Sequence, residues 1–151
     1  MRHFNWMALG FSVLAGPVFA QGHATGDAAA GEKVFRKCKS CHSVIDTEGE
    51  AIAKGGRSAP NLYGVFGRTA GTESGFAKKY GDSLVAAGAA GLQWNEADFV
   101  KFVADTKSFL KDYLDDGKAR SKMSFKLKDA DAAKDVWAYL VSIGPEGPVS
   151  N

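Results

Sequence analysis

Apolar residues recur at helical spacing in four stretches of this chain. Asp27 stands where a helix N-cap belongs, and behind it Gly31, Val34, Phe35 and Cys38 fall at i, i+3, i+4 and i+7, one face of a 3.6-residue period. Asn95 opens a second stretch, with Asp98 in its first turn and Phe99, Phe102 and Val103 facing inward. A short third carries Phe109, Leu110, Tyr113 and Leu114. Asp129 caps the fourth, where Ala133, Val136, Trp137 and Leu140 form a stripe that stops at Gly144-Pro145. No segment alternates apolar and polar positions as a half-buried strand does. The pattern predicts an all-α domain of about four to five helices.

Between Ser43 and Leu92 the same reading finds only loop, punctuated by glycine from Gly55 to Gly91. The whole chain holds 18 glycines in 151 residues, about 12% against a usual ~7%. So long a loop sits poorly in a compact domain unless something other than side chains supplies part of the core. Cys38-Lys39-Ser40-Cys41-His42 says what that is. Cys-x-x-Cys-His is the attachment sequence of c-type haem. On a helical turn the two thiols, at i and i+3, face the two vinyl edges of one porphyrin, and His42 follows at the iron. One covalent haem c is therefore expected, held through Cys38 and Cys41, with the glycine-rich loops wrapped around it. A thioredoxin-like dithiol or a plain disulfide are the competing readings of the pair. A disulfide closing so short a loop removes little unfolded-state entropy, which leaves it a weak structural role.

The N-terminus reads as a secretory signal over residues 1–20, with Arg2 in the start, an apolar run from Phe4 to Val13, a break at Gly16-Pro17 and Val18-Phe19-Ala20 before the cut. The run is short for a bilayer span and Pro17 interrupts it, against an uncleaved anchor. Residues 21–151 are then a single exported domain, in the periplasm. Losing Arg2 lowers the 19 Lys+Arg by one against 17 Asp+Glu, so total charge says almost nothing about partners. Met1 and Met7 leave with the signal and make Met123 the one thioether of the mature chain. It lies in Ser121-Lys122-Met123-Ser124-Phe125, outside any apolar stripe, which favours a second axial ligand over a core gap-filler.

These features together resemble the class I cytochromes c, in particular the bacterial c2 and c-550 group. The landmarks run in order from Gly31 to Leu140: Gly31-Glu32-Lys33-Val34-Phe35, the Cys38–His42 pentad, Pro60-Asn61-Leu62-Tyr63-Gly64 with Gly67-Arg68, Gly91-Leu92-Gln93-Trp94, Lys122-Met123-Ser124-Phe125 and Trp137-Ala138-Tyr139-Leu140. Longer segments from His42 to Pro60 and from Tyr113 to Lys122 fit this branch better than the compact mitochondrial type. The resemblance implies that the carbonyl of Pro60 accepts from the far ring nitrogen of His42, that Arg68 and Trp94 hydrogen-bond a haem propionate, and that Gly31 and Phe35 pack against Tyr139. The register from Phe76 to Tyr80 departs from the compact proteins, so the resemblance assigns Tyr80 no role, and the sequence leaves propionate contacts from Tyr80 and Ser121 open.

An iron with both axial positions taken by His42 and Met123 suits one-electron transfer better than turnover, so an electron carrier rather than an enzyme is expected. Its donor would be a cytochrome bc1-type quinol-oxidising complex and its acceptor a reaction centre, oxidase or reductase; nucleic acid is not a partner and the expected state is monomeric. Lys118, Arg120, Lys122, Lys126 and Lys128 around Met123, with Arg36, Lys37 and Lys39 beside the pentad, suggest a basic rim that steers acidic docking surfaces. The alternatives are a haem enzyme or gas-binding protein with a labile methionine, and a thiol-disulfide oxidoreductase.

Overall fold

The structure, a computed structural model, describes residues 24–145; the expected signal at 1–20 lies outside the described residues. Five α-helices form: α1 (Ala28–Phe35), α2 (Asp82–Ala89), α3 (Glu96–Ala104), α4 (Thr106–Leu114) and α5 (Ala130–Ser142). Three of them start where the polar caps predict. The Asp27 carboxylate accepts from the amides of Ala29 and Ala30, Asn95 from Asp98, and Asp129 from Asp131 and Ala132, so each satisfies amides that the first turn leaves without partners. Asp105 does the same for α4, accepting from Ser108, and Asp115 ends that helix in the left-handed region at φ 48°.

The core gathers where α1 crosses α5. A Cβ on Gly31 would lie 1.8 Å from the carbonyl oxygen of Asp135. Only glycine allows the two backbones this close. The Asp27 amide donates to the Asp135 carboxylate at 2.7 Å, and the rings of Phe35 and Tyr139 sit 5.3 Å apart. Trp137, on the inner face of α5, is fully buried and meets Phe99 of α3 at 5.2 Å. The packing of Gly31 and Phe35 on Tyr139 is thus as the resemblance implies.

Two local expectations need correction. The segment from Ser43 to Leu92 is not all loop: it contains a 3₁₀ helix (Ser74–Lys79), α2, and a two-stranded antiparallel hairpin, β1 (Val44–Ile45) with β2 (Ala51–Ala53), paired Val44 to Ala53 and Ile45 to Ala51 with a bulge between. Strands of two and three residues are too short to show alternation, and helix α2 starts at Gly81 with no side-chain cap and carries Gly88 in its last turn. The stripe that reaches Cys38 also overstates α1, which ends at Phe35. Beyond it the chain continues as tight turns, Cys38 donating to Phe35 at 2.8 Å, Cys41 to Cys38 at 3.1 Å and His42 to Cys38 at 2.9 Å. That arrangement keeps the pentad on one turn of helix-like backbone without being part of α1.

The chain after α4 has no regular structure until α5, and it is tied to the junction of α3 and α4 at three points. Leu127 donates its amide to Val103 at 2.7 Å, Lys126 pairs with Asp105 at 2.5 Å, and the Thr106 hydroxyl donates to the Met123 carbonyl at 2.7 Å. The Lys126 ammonium, first among the causes, holds the Asp105 carboxyl down to about 2. A carboxyl depressed from its unfolded value near ~3.9 stabilises the fold above that pH and loses the contribution as pH falls toward the folded value. Asp105→Asn keeps the cap and removes the charge, so the melting temperatures of variant and wild type should differ at pH 5 and converge by pH 2. A gap that stays constant across that range would show the pair to be inert.

Candidate functional site

The loops, α3, α5 and the segment around Met123 enclose a cavity of about 540 Å³. Cys38, Cys41, His42, Pro60, Arg68, Trp94 and Met123 all line it, so the structure brings together every residue singled out in the sequence for holding or contacting a haem. Leu62, Val65, Leu84, Phe99, Phe102, Val103, Leu127, Val136 and Leu140 make the rest of the wall largely apolar. The volume lies within the ~300–1,000 Å³ typical of cofactor sites.

His42 is oriented from behind. Its Nδ1 lies 2.8 Å from the carbonyl oxygen of Pro60, and because a carbonyl only accepts, Nδ1 carries the proton. The lone pair is left on Nε2, the nitrogen a metal would use. Burial lowers the His42 pKa, opposed by the Pro60 hydrogen bond and aided by Arg68, so the ring is neutral at ordinary pH. The turn that carries it is closed over by the chain after β2: a Cβ on Gly55 would sit 1.9 Å from the His42 carbonyl oxygen, so glycine is required for that approach.

Cys38 is half-buried and Cys41 exposed, both as thiols. Burial first, then Cys41 beside it, pushes the Cys38 thiol up to about 11 against the opposing charge of Lys37. Dithiol oxidoreductases need the reverse, a thiolate favoured at neutral pH.

Arg68 supplies a cation to the cavity. Its guanidinium donates to the carbonyls of Asn61 at 3.0 Å and Tyr63 at 3.2 Å, and burial pulls its pKa below the ordinary arginine value. Among the described residues the ion pairs are Lys126 with Asp105 and Lys134 with Asp131, so Arg68 has no carboxylate in direct contact, and Glu73 acts on it only from a distance. A half-buried cation whose direct hydrogen bonds go to carbonyls fits an acid on the group that fills the cavity. Together with paired thiols, a free imidazole nitrogen, a thioether and apolar walls, it fits haem. Trp94 stands on the same wall, its ring 5.0 Å from Phe102 and 6.4 Å from Phe109. Tyr80 also lines the cavity, and burial raises its pKa.

Two contributors escape sequence reasoning. Asn61 accepts from the amides of Ile45 at 2.9 Å and Tyr63 at 3.1 Å and donates to the Ile45 carbonyl at 2.7 Å, locking the hairpin to the Pro60 turn. Its place beside Pro60 in the Pro60–Gly64 landmark is the signal that points to it. Thr106 reaches Met123 from α4, and nothing in its neighbourhood in sequence announces this. The basic rim is also redrawn: Lys37, Lys79, Arg120 and Lys122 line the cavity, whereas Lys126 is paired with Asp105. Lys122 donates to the carbonyls of Lys79 and Tyr80 at 2.8 and 3.1 Å, closing the 3₁₀ helix against the Met123 segment.

Comparison with known proteins agrees with this chemistry. Residues 28–144 match the protein family described as "Cytochrome c". The chain is 53% identical over 137 residues to "Cytochrome c-551" of Roseobacter denitrificans, covering 91% of each protein. It is 54% identical over 131 residues to "Cytochrome c2" of Rhodobacter capsulatus, covering 87% of this chain and 89% of that one. In three dimensions it is similar to cytochrome c2 from Rhodobacter sphaeroides, with a TM-score of 0.77 at 48% identity over 80% of this chain and 98% of the other. It is similar also to cytochrome c2 from Paracoccus denitrificans, with a TM-score of 0.75 at 43% identity, over 82% of this chain and all of that one.

Proposed function

The chain belongs to the cytochrome c family, an electron-transfer cytochrome rather than an enzyme, and from that premise we propose a periplasmic one-electron carrier in which His42 and Met123 are the axial ligands of a haem c attached through Cys38 and Cys41. The observation that carries this reading is the convergence of those four residues on one largely apolar cavity, with His42 Nδ1 already committed to Pro60. Haem c, when bound, supplies the one-electron couple. The rest is done by the chain. Cys38 and Cys41 tether, Pro60 keeps Nε2 of His42 unprotonated and aimed, and the Met123 thioether favours the reduced state relative to a second imidazole. Arg68 and Trp94 hold the propionate end, and the apolar walls exclude water. With His42 and Met123 both holding the iron, no position would be left open for a substrate, which separates this reading from a haem enzyme or gas-binding protein. The raised Cys38 pKa speaks against a thiol-disulfide oxidoreductase.

The partners proposed are a cytochrome bc1-type donor and a reaction centre, oxidase or reductase acceptor, each docking through acidic surfaces on Lys37, Lys79, Arg120 and Lys122 at the cavity rim. The test is made on protein isolated from periplasmic extracts. A pyridine haemochrome spectrum should be that of haem with both vinyls saturated. The second-order rate with an acidic redox partner should fall as salt shortens the screening length below the ~8 Å of physiological ionic strength. A spectrum of non-covalent haem would overturn the attachment, and a salt-independent rate would overturn basic-rim docking.

A further inference from the structure

We infer that Thr106 is a positioning residue for Met123, keeping its thioether on the iron by anchoring the backbone of the ligand residue itself. The inference rests on the reading that Met123 is an axial ligand. Its ground is geometric. The Thr106 hydroxyl donates to the Met123 carbonyl at 2.7 Å across 17 residues, from a side chain only 2% exposed.

A buried threonine in the first turn of a helix ordinarily spends its hydroxyl on nearby backbone. Here it leaves its own helix, whose start is capped by Asp105, and reaches a different segment. That segment has neither helix nor strand around Met123, so side-chain bonds do the holding that a hydrogen-bonded ladder does elsewhere. Two groups bond the Met123 backbone. Ser121 accepts from its amide and donates to its carbonyl, both at 3.1 Å, but Ser121 is two residues away and travels with the segment. Thr106 alone connects the ligand residue to the rigid α3–α4 corner. The Lys126–Asp105 pair and the Leu127–Val103 bond tie the same segment three and four residues further on, and the first of these is exposed. On the other side Lys122 ties the segment to the carbonyls of Lys79 and Tyr80, through an exposed side chain. Removing the Thr106 hydroxyl therefore loosens the buried hold on the Met123 backbone while the ties at Lys122 and Leu127 remain.

An exogenous ligand binds the oxidised iron only in the fraction of molecules whose thioether has moved away, so its apparent affinity reports that fraction. Losing one buried hydrogen bond to a carbonyl that Ser121 still serves should raise the fraction by about 5- to 10-fold. The experiment is imidazole titration of the oxidised holoprotein for wild type, Thr106→Val, Thr106→Ser and Met123→Ala, with affinity read by the Soret shift in all four and loss of the iron–thioether charge-transfer band followed wherever that band is present. Thr106→Val should keep the band without imidazole yet bind imidazole about 5- to 10-fold more tightly, and Thr106→Ser should restore the wild-type affinity. Thr106→Ala removes the same hydroxyl and substitutes for the valine variant should that fail to load haem. A role limited to core packing would move the denaturation midpoint but leave imidazole affinity at the wild-type value in both hydroxyl-free variants, and that result overturns the inference. Met123→Ala guards the premise: it should lack the band and bind imidazole most tightly of all. A wild type with no band, or a Met123→Ala protein that binds as wild type does, removes Met123 as ligand and is distinguishable from failure of the Thr106 role.

Discussion

Met123→Ala is expected to retain covalently attached haem while its reduction potential falls by on the order of 0.2 V, about a quarter of the ~0.8 V that axial ligation spans. The thiols and His42 lie on the N-terminal side of the cavity and Met123 on a segment more than eighty positions later in the chain, so attachment does not depend on the thioether. On the proposed ligation, what the thioether supplies is preference for the reduced state, together with occupation of the second axial position. Its loss opens that position, and the reduced variant should bind carbon monoxide where the wild type resists it. Redox titration and carbon monoxide difference spectra check both. A variant with unchanged potential and unchanged resistance would take Met123 out of the mechanism.

Gly31→Val should be the most damaging single change outside the proposed haem ligands. The new Cβ would lie 1.8 Å from the Asp135 carbonyl oxygen, 2.4 Å from its carbon and 3.0 Å from Cβ of Tyr139. The first two are backbone atoms, which cannot turn to another rotamer. Helix α1 must then lift from α5, loosening the Phe35–Tyr139 contact and the Asp27–Asp135 hydrogen bond together. Overpacking costs ~1–3 kcal/mol where side chains can adjust, and here about 3 kcal/mol is expected, or roughly 10 °C in melting temperature. Gly117→Ala is the control, since a Cβ there meets nothing within 4 Å, and it should stay within ~0.5 kcal/mol of wild type. Equal melting temperatures for the two holoprotein variants would show that the crossing tolerates separation.

Legibility in the sequence followed the range of the interaction concerned. The caps at Asp27, Asn95 and Asp129 act within three residues, and the helices they open stand where the pattern places them. The thiol pair and His42 are likewise local, because their spacing alone sets one turn of backbone. Pro60 is different: nothing around it announces a contact with His42, and only the resemblance points to it. The hairpin and α2 were illegible for another reason. The strands, two and three residues long, are too short to establish alternation, and α2 draws on tertiary contact with no side-chain cap of its own. Thr106 lay furthest from view, since a threonine after an aspartate reads as an ordinary helix start.

The α1–α5 crossing also has a temporal meaning. It joins positions 108 residues apart, Asp27 to Asp135, so it cannot close until nearly the whole chain is available. Contacts of such separation carry the largest loop-closure entropy and slow the search for the native state. Cys38 and Cys41 lie a few residues beyond α1, in the part of the chain that emerges first. Until the last helix docks, the cavity lacks the wall that Val136 and Leu140 supply, so Cys38, half-buried in the closed fold, is more accessible before docking than after. Chain order thus acts as a clock, giving the N-terminal end of the cavity a head start over the closure that completes its wall.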